Sequence, residues 1–273
     1  TRAVEPLDQL LSKGETDKEI YVLRRLQAEE GSGDSDLGLH FDLTVPLARY
    51  VLQHQSELSF PFKRYQIQKV WRGERPQEGR YREFYQADID VVAQGELPLS
   101  FDAEMPVLLY KVLSSLPLPP VTIMVNNRKV MEGFYRGLGV EDITGVLRTV
   151  DKLDKIGSDG VLKVLCDENG LSASQAEKCL SLAMIRESGS EIGEKIRGLG
   201  VSHELLDTGI EELEFVMGSL SDLPEGAVVA DLRIARGLDY YTGTVYEGVL
   251  KGHESLGSVC SGGRYDNLVD GGR

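Results

Sequence analysis

Residues 65 to 92, YQIQKVWRGERPQEGRYREFYQADIDVV, carry charge of both signs at spacings that place much of it on one side of an extended chain. Side chains alternate across a strand, so Gln86, Asp88 and Asp90 share one face of FYQADIDVV, and Tyr85, Ala87, Ile89 and Val91 share the other. The same rule sets Gln66, Gln68, Val70 and Arg72 opposite Tyr65, Ile67 and Trp71. Between them Gly73 and Gly79 bracket Glu74, Arg75 and Glu78, and Arg80 and Arg82 lead into the second strand. The expectation is two strands joined by a charged loop, with one face in the core and the other made of arginine and carboxylate. Such a polar face suits a ligand that is both anionic and cationic. A solvated hairpin with surface ion pairs, each worth little, would show the same pattern.

Other elements must position these groups. VEPLDQLLSKG reads as a helical start ended by Gly14, and HFDLTVPLARYVLQH as a helix with Thr44 at its N-cap, Pro46 in the first turn, and Leu47, Tyr50 and Val51 on one face. Asp42 and Thr44 then stand at a helix entrance, where backbone donors lack intrahelical acceptors. A helix near 101–115, with Met105, Leu108, Leu109 and Val112 toward the core, precedes a buried strand in PLPPVTIMVNN and a helix from about Arg128. From 137 to 222 helical periodicity takes over, with Ser172 and Gln175 spaced as a capping box. This block reads as an all-helical insertion (137–222) within a discontinuous domain formed by 1–136 and 223–273. Strand-like alternation returns at AVVADLRIARGLDYYTGTVYEGVL, read as a second hairpin interrupted by RGLDYYTG, and Gly262 and Gly263 permit close backbone approach to a ligand.

Composition narrows the function classes. The chain has 273 residues, 41% of them hydrophobic, enough for a sizeable core. It has no apolar run approaching the roughly 18 residues of a membrane span. TRAVEPLDQL lacks the layout of a signal peptide, so a cytoplasmic, non-membrane protein is expected. Cys166, Cys179 and Cys260 form no CxxC pair and read as buried thiols; His40, His54, His203 and His253 show no metal-ligand spacing. The net charge of −14 argues against a generic nucleic-acid surface, because affinity for a polyanion rests on phosphate neutralisation. Any such contact must be local, and Arg75, Arg80 and Arg82 are the best basic spot.

Four segments in order, LHFDLTVPLARY, WRGERPQEGRYREFYQADID, RGLDYYTGTVYE and SGGRYDNL, resemble the catalytic domain of the histidyl-tRNA synthetases, class II aminoacyl-tRNA synthetases. The second is similar to the second class motif with its loop; the third and fourth are similar to segments particular to the histidine-specific enzymes. The resemblance implies an α+β fold, a six-stranded antiparallel sheet flanked by helices with a helical insertion, and a homodimer. It implies the reaction too: L-histidine and ATP, with Mg2+, give histidyl-adenylate and pyrophosphate, and the histidyl group passes to the 3′ end of tRNA(His).

By the same resemblance Arg72 meets the α-phosphate, Glu74 the adenine and Arg80 the γ-phosphate, while Arg236 approaches the reacting carboxylate and α-phosphate from the opposite side. Asp42, Thr44 and Gln86 take the α-ammonium, Asp90 and Tyr241 the imidazole, and Tyr240 and Tyr265 complete the histidine pocket. No metal ligand is implied among the side chains. Two departures stand out. Arg2 occupies a position where the family commonly has proline, and DNLVDGGR ends before the third class motif and the anticodon-binding domain, so a fragment of a longer protein is expected. The nearest rival is the regulatory subunit of ATP phosphoribosyltransferase, which shares the fold without aminoacylating; a synthetase-like module for RNA sensing or protein interaction is a third reading.

Overall fold

The computed structural model describes residues 2–11, 17–27, 36–75, 78–189, 191–234 and 240–266. Its contacts divide the chain into two compact units, Thr1–Leu97 with Asp266–Arg273, and Pro98–Tyr265.

In the first unit β1 (Val4–Pro6) leads directly into α1 (Leu7–Leu11). The segment expected to be helical throughout therefore begins as a strand, because Pro6 biases Glu5 toward extended backbone; Gly14 lies outside the described residues. With β2 (Val22–Leu23) and β3 (Leu37–Leu39) it forms an antiparallel sheet of order β1-β3-β2. The helix α2 (Thr44–His54) follows, burying Val45, Pro46, Leu47 and Val51. Proline is tolerated there because N–H groups in a first turn have no helical acceptor. Then β4 (Phe62–Trp71) and β5 (Glu83–Val92) pair antiparallel, with Arg64 opposite Asp90, Gln66 opposite Asp88 and Gln68 opposite Gln86.

The two faces of that pair are not buried as the sequence suggests. Tyr65 is 81% exposed, Tyr85 68% and Ile67 65%, so the face expected in the core lies open, while Arg64, Gln66, Gln68, Gln86, Asp88 and Asp90 on the polar face are half-buried. The reason is the connection from β3 to α2, which lies over the polar side and hydrogen-bonds to it: Trp71 N donates to His40 O at 2.8 Å, and Arg72 and Arg64 donate to the carbonyls of Phe41 and Leu43.

The second unit holds the larger core. It contains α3 (Ser100–Ser114), β6 (Val121–Asn127), α4 (Arg128–Gly137), α5 (Ile143–Val150), α6 (Leu153–Asp167), α7 (Ala173–Ala183), β7 (Arg186–Glu187), α8 (Ile192–Arg197), α9 (Glu204–Gly218), β8 (Val228–Asp231), β9 (Thr244–Leu250) and β10 (Cys260–Gly263). Among the described residues the sheet order is β10-β9-β6-β8-β7, antiparallel except for β6 with β8. The second hairpin expected over 228–250 does not form, because β6 lies between β8 and β9 and pairs with both. The six strands implied for one antiparallel sheet are likewise divided, with β4 and β5 forming a sheet of their own. Two residues of the helical block, Arg186 and Glu187, extend the larger sheet as β7, aided by Arg186 Nε 3.6 Å from Asp231 Oδ2; a two-residue strand is too short to show periodicity. The capping box of α7 is present, with Ser172 and Gln175 bonded reciprocally. Helix α3 turns Asp102, Ala103 and Pro106 inward, whereas Val112, expected toward the core, is exposed. Cys179 is buried and Cys166 and Cys260 are half-buried; burial pushes the Cys179 thiol up to about 12 and Cys260 up to about 11.

Close packing of α4 on α9 depends on two glycines. A Cβ on Gly133 would meet Leu206 N and come within 2.6 Å of Leu206 Cα; one on Gly209 would lie 2.5 Å from Val130 N. Neither backbone can yield without parting the helices, so Gly133→Val is expected to lower stability by about 1–3 kcal/mol, the usual scale of overpacking. A urea midpoint unchanged from wild type would show that the helices separate freely.

Candidate functional site

The polar face of β4 and β5 is organised around Arg72, the residue that follows β4. Its Nε donates to Phe41 O at 3.2 Å and its Nη2 to Gln86 Oε1 at 3.0 Å; the guanidinium carbon stands 4.7 Å from the Phe41 ring centroid and 5.2 Å from that of Phe84. Two rings and two acceptors hold a planar cation in one orientation, with Glu74 Oε1 3.9 Å from Nη1. Gln86 in turn donates to both oxygens of Asp88 at 2.9 and 3.1 Å, which places its carbonyl oxygen toward Arg72. That oxygen has two lone pairs and can take a second donor. Arg82 Nε reaches Glu74 O at 3.3 Å, and Arg72 N donates to Arg82 O at 2.9 Å, so both limbs of the loop are tied at its base. Arg80 is half-buried, just after the turn at Glu78 and Gly79.

Asp42 and Thr44 stand at the entrance of α2 in a different arrangement from the expected one. Thr44 is the first helical residue and Leu43 the N-cap; the buried carboxylate of Asp42 accepts from Thr44 N at 3.1 Å. A threonine at the cap itself would have used its own hydroxyl, but here an acid two residues ahead of the amide takes that place.

Beneath this entrance lies a charged cluster that spacing did not reveal. Arg49 Nε and Nη2 donate to the two oxygens of buried Glu5 at 2.8 and 2.7 Å, and His40 Nε2 is 3.4 Å from Glu5 Oε1. Burial holds the His40 pKa below its ordinary 6.5, although Glu5 pulls it upward. The unfolded chain therefore takes up a proton at His40 before the folded chain does. This contribution to stability is full above about pH 6.5 and is lost as the pH falls through the lower, folded value. The urea midpoint is expected to drop between about pH 7 and 5, and less steeply in His40→Asn; parallel slopes would remove His40 from the account.

Asp90 faces Arg64 across the strand pair, with Oδ2 2.8 Å from Arg64 Nη2. In the second unit Tyr240, Tyr241 and Tyr265 form one aromatic cluster: Tyr240 stacks on Tyr265 at 5.3 Å, and Tyr241 meets Tyr265 edge-on at 4.8 Å. Gly263 makes room for it, since a Cβ there would come 2.6 Å from Tyr241 Cδ1 and 2.8 Å from Thr244 O. The close approach read into this glycine is made by a tyrosine of the chain itself. Arg236 lies outside the described residues.

The structure thus gathers Asp42, Thr44, Arg72, Glu74, Gln86 and Asp90 in the first unit, and the three tyrosines in the second. Sequence reasoning missed Phe41, Phe84 and Arg64. Phe84 lies two residues before Gln86 and so shares its face, and it reaches Arg72 from the start of β5; Arg64 was legible from its even spacing with Gln66, Gln68 and Arg72. Fixed guanidinium groups beside carboxylates and amides can stabilise charge developing on a phosphate while holding an ammonium group nearby. Among the described residues no three His, Cys, Asp or Glu side chains cluster so as to hold a metal ion. No described helix is long and apolar enough to cross a membrane.

Comparison with known proteins places the chain among relatives. The family model for histidyl-tRNA synthetase matches residues 2–271. The chain is 60% identical over 270 residues to the histidine-tRNA ligase of Thermobifida fusca, covering 98% of this chain and 62% of that protein. It is 56% identical over 283 residues to that of Micrococcus luteus, covering 100% and 62%. The chain spans about 62% of the length of these curated relatives. Among solved structures, histidyl-tRNA synthetase from Nostoc sp. PCC 7120 matches with a TM-score of 0.86 at 38% identity, covering 99% of this chain and 61% of that one. An ATP phosphoribosyltransferase regulatory subunit/histidyl-tRNA synthetase from Bacillus halodurans matches at 0.80 with 24% identity, a likeness of fold. The α+β class II synthetase-like fold, antiparallel pairing flanked by helices, is that of this chain. The chain belongs to the histidyl-tRNA synthetase family.

Proposed function

We propose that this chain is the catalytic part of a cytoplasmic, homodimeric histidine-tRNA ligase. A carboxylate oxygen of L-histidine attacks the α-phosphorus of ATP, the bond to the β-phosphate oxygen breaks, and pyrophosphate leaves with its electron pair. The histidyl group of the adenylate then passes to the 3′-terminal ribose of tRNA(His), releasing AMP. Mg2+ is a partner of ATP in this reading, carried on the phosphates as part of the substrate.

The observation that carries the reading is Arg72, fixed by Phe41 O, Gln86 and two aromatic rings at the edge of the strand face that bears Gln86 and Asp90 and is covered by the connection carrying Asp42 and Thr44. A cation held before substrate arrives need not reorganise when charge builds on the phosphate. Glu74 is assigned to the adenine and Arg80 to the γ-phosphate; Asp42, Thr44 and Gln86 are assigned to the α-ammonium and Asp90 to the imidazole, whose two nitrogens need one donor and one acceptor in the neutral ring. Arg236, Tyr240, Tyr241 and Tyr265 keep the roles that the family resemblance implies. Residues 137–222 are assigned as a helical insertion within a domain made of 1–136 and 223–273.

Histidine-dependent exchange of labelled pyrophosphate into ATP, on the full-length protein with other amino acids as controls, tests the proposal. Exchange with histidine alone is expected. Histidine binding without exchange would favour the regulatory-subunit role, and absence of both would reject the histidine site.

A further inference from the structure

Arg64 joins two parts of the proposed histidine site. It lies on β4 in register with Asp90 and is only 10% exposed. Its Nη2 is 2.8 Å from Asp90 Oδ2 and 3.2 Å from Leu43 O, and its Nη1 donates to Gln66 Oε1. Leu43 lies between Asp42 and Thr44, and its carbonyl also accepts the N–H of Leu47 at 3.2 Å, an early hydrogen bond of α2. One planar cation therefore ties the carboxylate assigned to the imidazole to the helix entrance assigned to the α-ammonium. The polar alternation continues through Gln66, whose Nε2 donates to Gln68 Oε1 at 2.7 Å, while Gln68 donates to Arg2 O at 2.9 Å. Arg64 is the charged end of this half-buried row.

We propose that Arg64 is a positioning residue for histidine recognition, one that sets the direction of the Asp90 carboxylate and its distance from the Asp42–Thr44 entrance. This rests on the histidine site proposed above. Histidine in one rotamer offers its two polar ends at one separation, so a site that reads both must keep their partners at a distance that matches that rotamer. A guanidinium can do this because its donors are held in one plane. A lysine in its place has a single charged nitrogen on a flexible stem, and it satisfies Asp90 or Leu43 O in turn rather than both in a set geometry. Side chains that lack the second nitrogen gain nothing from an oriented Asp90, so the device acts on selectivity as well as affinity.

The test uses the full-length protein, with histidine binding measured by calorimetry and Mg·ATP KM measured by pyrophosphate exchange. Arg64→Met is expected to weaken histidine binding by about tenfold or more, because the half-buried Asp90 carboxylate loses the cation it pairs with, with the KM for Mg·ATP nearly unchanged. Arg64→Lys, which keeps the charge and guards against a folding failure in the methionine variant, is expected to fall between. Adding Arg64→Met to Asp90→Asn should cost little more than Asp90→Asn alone, because an arginine that works through Asp90 has nothing left to orient. Equal losses for histidine and ATP, additive losses in the double variant, or unchanged histidine binding would each overturn the positioning role. Wild-type protein that binds histidine without exchange would reject the ligase reading while leaving the Arg64 variants decisive by calorimetry; wild-type protein that binds no histidine would reject both.

Discussion

Arg72→Lys in the full-length protein is expected to lower histidine-dependent pyrophosphate exchange by about 10²- to 10³-fold, the loss typical of removing one preorganised donor to a developing oxyanion. Lysine retains the charge but not the shape that the structure uses. The flat guanidinium fits against the Phe41 and Phe84 rings while donating to Phe41 O and Gln86 Oε1. An ammonium group cannot keep both acceptors and both ring contacts, so it would have to be oriented by the substrate itself. Histidine binding by calorimetry should be largely retained, since Asp42, Thr44 and Asp90 keep their own partners. Exchange within tenfold of wild type, or a parallel collapse of histidine affinity, would show that Arg72 does not act on the phosphate.

A second large effect is expected at Asp102, which no reading of the sequence singled out. Its carboxylate, 3% exposed, accepts from Arg264 Nη1 and Thr244 Oγ1, both at 2.6 Å. Its carbonyl accepts from Tyr246 Oη at 2.7 Å. That last bond has a cause in the sequence: Pro106, four residues on, has no N–H to give to Asp102 O, and the tyrosine hydroxyl supplies the missing donor. Arg264 is held further by its backbone, which donates to Thr244 O at 2.9 Å and accepts from Thr242 N at 2.8 Å, so the network ends beside Tyr265 and its aromatic partners. Asp102→Ala would leave an arginine and a buried hydroxyl without their acceptor, and breaking a buried pair from one side costs about 3–5 kcal/mol. A urea melt with the wild-type slope and a much lower midpoint is expected, with a smaller drop in Asp102→Asn. A midpoint close to wild type would mean that water replaces the carboxylate.

The sign of the pH effect at Asp102 is opposite to that at His40. Burial outweighs the arginine and threonine donors and raises the Asp102 pKa above 3.8. The folded state then binds the proton first as the pH falls, so the contribution of this group to stability rises on acidification through its folded range and is lost again as the pH climbs. At His40 the unfolded chain binds first, and acid removes stability. A single acid titration would superpose the two, and His40→Asn and Asp102→Asn separate them by moving the slope in opposite directions.

Alternation alone determined that Gln66, Gln68, Val70 and Arg72 share a face with one another, and that Gln86, Asp88 and Asp90 do the same, because a strand turns successive side chains through a half-circle wherever it lies. The capping box at Ser172 and Gln175 was legible for the same reason, as it closes within one turn. The motif segments also carried the family, since their residue types and order are properties of the chain. What only the tertiary structure decided was the partner of each face. Tyr65 and Ile67 lie open while their polar neighbours are covered, because the residues that cover them, 40–43, come from a distant connection. The 228–250 region reads as a hairpin yet encloses β6, more than a hundred residues earlier in the chain, because a strand's pattern says which face is apolar and not which edge it joins. The Asp102–Arg264 pair spans 162 residues. Periodicity reports backbone geometry over a few residues, whereas ion pairs, ring contacts and strand order depend on segments that meet only after the chain has folded.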